Sequence, residues 1–171
     1  MVPVPAPGCP PPAAVVVIGV GNDFRRDDGA GPAVIARLRD LAPPGVRLVI
    51  TDGAPARLVE AWTGAAVAVV VDAVRALPPD VGPPHPGQVH RFVVDQPRPG
   101  IGRSASSHGL GLDDAIALAV ALDRMPERLI VHAIEAADLT QGPGLTPPVA
   151  AAVGAVAAAV LDDLSPYLSG P

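Results

Sequence analysis

Apolar residues fall in short, nearly unbroken runs separated by stretches of helical spacing. Ala14–Val20 is mostly β-branched and apolar, the pattern of a strand buried on both faces of a parallel sheet. Val46–Thr51, Ala65–Asp72 and Leu129–Ile134 repeat that pattern. Between them, Gly29–Asp40 puts Val34, Ile35 and Leu38 on one helical face, and Ala56–Trp62 gives a short helix. Another amphipathic helix is expected from near Gly109 to about Asp123, and a closing helix over Pro147–Leu164 begins on proline. Gln88–Val94 alternates in polarity and follows the third strand with no helix between, so it is expected to run antiparallel at or near an edge. Strands alternating with helices predict an α/β protein, a three-layer α/β/α sandwich whose five-stranded, mainly parallel sheet carries one antiparallel strand. The intervening loops Leu77–Gly87 and Asp95–Ser107 are long enough to be functional.

The chain has 171 residues, enough for one domain with a real core. We expect a disordered proline-rich leader over residues 1–13 and a single α/β domain over 14–168; six prolines and no charge mark Met1–Pro12. Aromatic residues make up only 2% of the chain, so the core must be built from Val, Ala, Leu and Ile. A net charge of -5 without a basic tract argues against a nucleic-acid surface. All twelve basic residues are arginines, which removes Walker-type phosphate binding, Schiff-base chemistry and a lysine base. The one cysteine, Cys9, sits in the leader, so no internal disulfide or cysteine metal site is expected. The apolar runs, including Val149–Leu161 with Asp162 and Asp163 after it, read as too short to span a bilayer. A soluble, cytoplasmic protein without membrane insertion is the expectation.

Candidate chemistry concentrates in the loop after the first strand, GVGNDFRRDDGAG, Gly19–Gly31. It fails as a dinucleotide fingerprint: the third glycine position of G-x-G-x-x-G holds Phe24, and acids follow where a pyrophosphate needs amide donors. Gly19, Gly21 and Asn22 suit a tight turn, and Asp27 or Asp28 is expected to cap the next helix. Two adjacent acids exceed what one cap requires, leaving Asp28 without a local explanation. Asp72 ends the third apolar run and so belongs to the same sheet edge, where open α/β sheets build their sites. His108, in SASSHGLGLDD, leads from a glycine- and serine-rich loop into a helix. His85, His90 and His132 have less telling settings, and Glu135 reads as an exposed acid at a strand end. Together Asp28, Asp72 and His108 would offer a metal two oxygens and one nitrogen, with positions left open. Ser104, Ser106 and Ser107 do not form a nucleophile elbow, because GRSAS ends in serine and follows no convincing strand.

The order of these motifs resembles that of the hydrogenase maturation endopeptidases, which trim the large subunit of nickel-iron hydrogenases. That family opens with a strand and G-x-G-N, four variable residues and an acid pair, matched by Gly19, Gly21, Asn22, Asp27, Asp28 and Gly29. A strand ending in an acid-alanine pair is matched by Asp72 and Ala73, a histidine before G/Q-L-G-L by His108–Leu112, and a G-L-T/S-P turn by Gly144–Pro147. The resemblance covers about Val15 to Leu164; the proline-rich leader and the proline-loaded loop after the third strand depart from it. It implies an endopeptidase that removes the C-terminal extension of a large-subunit precursor after nickel insertion. It also implies that Asp28, Asp72 and His108 form a catalytic trio contacting nickel carried by that precursor, with no organic cofactor. Two other readings keep the same trio: a non-cleaving, metal-sensing module for the precursor, and an autonomous metallohydrolase holding its own metal.

Overall fold

The computed structural model describes residues 14–75, 83–95 and 112–168. Five strands, β1 (Val15–Val20), β2 (Val46–Thr51), β3 (Val67–Val74), β4 (Val89–Asp95) and β5 (Arg128–Glu135), form one sheet in the order β2-β1-β3-β5-β4. β1 pairs in parallel with both β2 and β3, β3 pairs in parallel with β5, and β4 runs antiparallel to β5 at the edge. The expected architecture is therefore borne out, including the place of the fourth strand. β3 begins and ends two residues later than its apolar run suggests, so Asp72 lies inside the strand rather than at its last residue.

Among the described residues four helices cover the sheet: α1 (Ala30–Leu38), α2 (Pro55–Trp62), α3 (Leu112–Ala121) and α4 (Pro147–Leu168). One core joins Val15, Val17, Val67, Val69 and Val71 of the sheet to α1 and α4; the other joins Val16, Ile18, Ala68 and Val70 to α2 and α3. Those alternating contributions from the same strands follow from the two-residue period of a strand. The chain leaves β1 through α1 to β2 on one side, then returns through α2 on the opposite face to β3 on the other side. The sheet order therefore reverses between β1 and β3, which opens a crevice at their C-terminal ends.

α4 corrects an expectation. At 22 residues it is long and apolar enough, by length and composition, to cross a membrane. It continues past Leu164 and through Pro166 because Leu164 is buried and Tyr167 and Leu168 pack on the core. In the fold it is a covering layer, with Val149, Val156, Ala157 and Val160 buried. Asp163 fastens it to the sheet through the Nε2 of buried His132, at 2.8 Å, and a two-pronged bond from Arg91.

Two glycines let α1 approach the sheet. A Cβ on Gly31 would lie 2.4 Å from the Val20 carbonyl oxygen and 2.7 Å from that of Val71, and one on Gly19 would lie 2.6 Å from the Gly31 oxygen. Gly31 thus gives the close contact that a third fingerprint glycine gives elsewhere. Between β1 and α1, Arg26–Gly29 forms a 3-10 turn, and neither acid caps a helix by its side chain, contrary to expectation.

Asp27 instead reaches the chain after β5. Its fully buried carboxylate accepts hydrogen bonds from the backbone N–H groups of Ala137 (2.8 Å), Asp138 (3.0 Å) and Thr146 (2.7 Å), and from the Thr146 hydroxyl (2.9 Å). Burial opposes ionisation, but these bonds outweigh it and hold the carboxyl below its ordinary range. Such stability is present above the unfolded-state value of about 3.9 and is lost as pH falls through the lower folded-state value. Asp27→Asn is expected to cost about 3 kcal/mol in urea denaturation at pH 7, because it turns a donor towards donors. The deficit should shrink below about pH 4; an equal deficit there would show that charge plays no part.

Candidate functional site

Asn22 starts the loop that carries the first candidate carboxylate. Its side-chain oxygen accepts from the Phe24 N–H at 2.9 Å, and its own N–H donates to Asp28 Oδ2 at 3.1 Å. Gly21 makes this fold-back possible: its φ is 135°, and a Cβ there would lie 1.8 Å from the Asp28 carbonyl oxygen. Arg26, at φ 45°, occupies the left-handed region that side chains rarely adopt. Its N–H bond to the Gly142 oxygen (2.8 Å) and an ion pair with Asp138 (3.2 Å) hold it there. The turn is therefore tied down on both sides of Asp28.

Asp28 and Asp72 meet in a cleft of about 280 Å³ at the crevice between β1 and β3. Val20, Gly21, Asp52, Gly53, Leu58 and Leu112 complete most of its wall. Asp72 is only 8% exposed. Burial pushes its carboxyl up to about 7; a hydrogen bond from the Ala73 backbone opposes the rise, and the Asp28 charge adds to it. Arg25 also lines the cleft, with its guanidinium 4.0 Å from Asp28 and half exposed, a weak and screened pairing.

When both are ionised, two converging carboxylates, one of them buried, make an acceptor-only pair suited to a cation or to drawing a proton from water. No serine, threonine or cysteine lines the cleft among the described residues. His108 and Ser104, Ser106 and Ser107 lie outside the described residues, as does the loop that carries them. Leu112, four residues after His108 in the chain, lies on the cleft wall.

Glu135 departs from expectation. It is buried, not exposed, because the chain just before β4 folds over it: the His85 N–H donates to its Oε2 at 2.6 Å, and its Oε1 meets His90 Nε2 at 2.7 Å. The contributions of Arg25, Asp52, Gly53 and Leu58 to the cleft were not predicted from sequence. Only the position of Asp52 and Gly53 just after a strand could have signalled them.

A family model described as hydrogenase maturation protease matches residues 32–163. That match begins after Asp28, so the first carboxylate rests on the geometry described above. The fold is similar to the hydrogenase maturating endopeptidase HybD from E. coli, with a TM-score of 0.70 and 22% identity over 89% of this chain and 92% of that one. It is also similar to the nickel-iron hydrogenase maturation protease HybD from Thermococcus kodakarensis, with a TM-score of 0.61 and 26% identity over 88% and 97%. A sequence comparison with curated proteins gave no match. The family match over most of the chain, on a fold shared with these endopeptidases, shows that the chain belongs to the hydrogenase maturation protease family and is an endopeptidase.

Proposed function

We propose that this endopeptidase removes the C-terminal extension of a nickel-iron hydrogenase large-subunit precursor after nickel insertion. Asp28, Asp72 and His108 contact the nickel carried by the precursor. The convergence of Asp28 and Asp72 in one cleft is the observation that carries this reading. Two acids brought together from the turn after β1 and from β3 repel each other when both are ionised, and a cation between them relieves that repulsion. A substrate-borne metal would supply that cation only when the correct precursor is seated, so recognition and assembly of the site become one event. The metal anchors the scissile region, and water is the attacking group, activated by one of the carboxylates. We also propose that the reaction takes place in the cytoplasm.

The direct test is the intact mass of the large-subunit precursor, nickel-loaded or nickel-free, after incubation with this protein. Loss of a C-terminal peptide from the loaded form alone is expected, and equal cleavage of the nickel-free form would overturn nickel dependence. Asp28→Asn should slow cleavage by about a hundredfold or more; retained activity would remove Asp28 from the site. Binding of the loaded precursor without cleavage would favour the metal-sensing module.

Asp72 generates a second, opposite-signed prediction. Its folded-state value is raised, so its burial costs nothing below the unfolded-state value of about 3.9 and most above about 7. Asp72→Asn should therefore abolish cleavage yet raise stability at pH 8 by about 2 kcal/mol, with little gain near pH 4. Thermal melts of the two proteins across that pH range check it. A variant that is less stable at pH 8 would mean the carboxylate is held by favourable contacts instead.

A further inference from the structure

The outer edge of β2 is open beside the cleft. The Thr51 carbonyl accepts from the Gly21 N–H at 2.9 Å, so Thr51 faces β1. By alternation, Val49 and Arg47 also face β1, while the N–H and C=O groups of Leu48 and Ile50 face outward. Among the described residues nothing pairs with those outward groups. The lower end is closed by the chain itself, through the Val46 N–H bond to the Pro43 oxygen.

Edge strands are normally blunted by charge, proline or a bulge. β2, with sequence VRLVIT, has no proline, and its ladder with β1 runs without interruption. Its one charged residue, Arg47, turns its guanidinium back to the Ala61 carbonyl. Ile50 is 45% exposed on the same face as Leu48. The strand then runs straight into Asp52 and Gly53 of the cleft wall.

We infer that the β2 edge docks the C-terminal extension of the precursor as an added antiparallel strand; this rests on the function proposed above. An endopeptidase takes its substrate as extended backbone, and an added strand satisfies such a backbone while leaving side chains free. Chain leaving the cleft past Asp52 and Gly53 and moving away from the carboxylates runs from Ile50 towards Val46, opposite to β2. The added strand would lie about 14 Å from β3, three strand spacings away. About four extended residues bridge that gap, so pairing begins some four residues beyond the scissile bond. The ligand is an extended peptide with an apolar side chain against Ile50.

The experiment pairs steady-state cleavage of the nickel-loaded precursor with amide exchange of the full chain in excess synthetic extension peptide. Slower exchange at Leu48 and Ile50 is expected, with Val49 and Thr51 unchanged because they already bond β1. Ile50→Pro, which removes an outward donor and no bond to β1, should raise KM about tenfold with little change in kcat. Ile50→Lys keeps the backbone donor and should raise KM less, which covers a proline variant that misfolds. If the precursor is cut normally by both variants and exchange at β2 does not change, the docking edge is overturned and the function stands. If the wild-type protein leaves the precursor uncut, the proposed function falls and the docking edge with it. Slow exchange at Leu48 and Ile50 in the free protein, with a dimer mass, would overturn the proposal in favour of a second copy on that edge.

Discussion

The buried carboxylate of Asp27 holds together the parts of the chain that make the site. Its four bonds join the turn after β1 to the segment after β5 and to the start of α4. Three backbone N–H groups of those connections thus share one acceptor, the Asp27 carboxylate. The neighbouring residue, Asp28, is left facing the cleft. The adjacent acids therefore divide the work, one fixing the loop and the other taking part in the cleft.

This division explains a spacing that looks arbitrary in one dimension. Thr146 of the GLTP turn and Asp27 are far apart in sequence, yet Thr146 gives two of the four bonds. Gly21 and Gly31 serve the same geometry by letting the loop fold back and α1 approach the sheet. Replacing any of these residues would move Asp28 by displacing the backbone that holds it. Loop residues of this kind position a site through others rather than by contacting a substrate.

Much of the fold was legible because buried parallel strands are almost pure apolar runs, and β2 was bounded correctly to the residue. Strand ends were less so: the apolar run breaks before pairing stops, and Asp72 looked like an end although β3 continues to Val74. The nearness of Asp28 and Asp72 could be anticipated, since both belong to one sheet edge. The role of Asp27 could not, because its partners come from a segment whose own sequence, AADLTQGPGLT, carries no sign of donating to a buried acid. Glu135 was misjudged for a related reason. What covers a strand end depends on a loop that returns from elsewhere, here the chain at His85–Gln88.

The energetics of the cleft run against those of the core around it. Asp72 sits in β3 among valines, within a sheet whose other central positions stabilise the fold by burial. A carboxylate there is destabilising at neutral pH, more so with Asp28 nearby. The fold tolerates it because strands on both sides of β3 fix the backbone, and the Asp27 anchor fixes the opposing loop. Neither acid can relax away from the other without breaking bonds that stabilise the whole domain. The repulsion is thus retained in the folded state whenever both are ionised, and a cation placed between the two would relieve it without requiring the protein to rearrange.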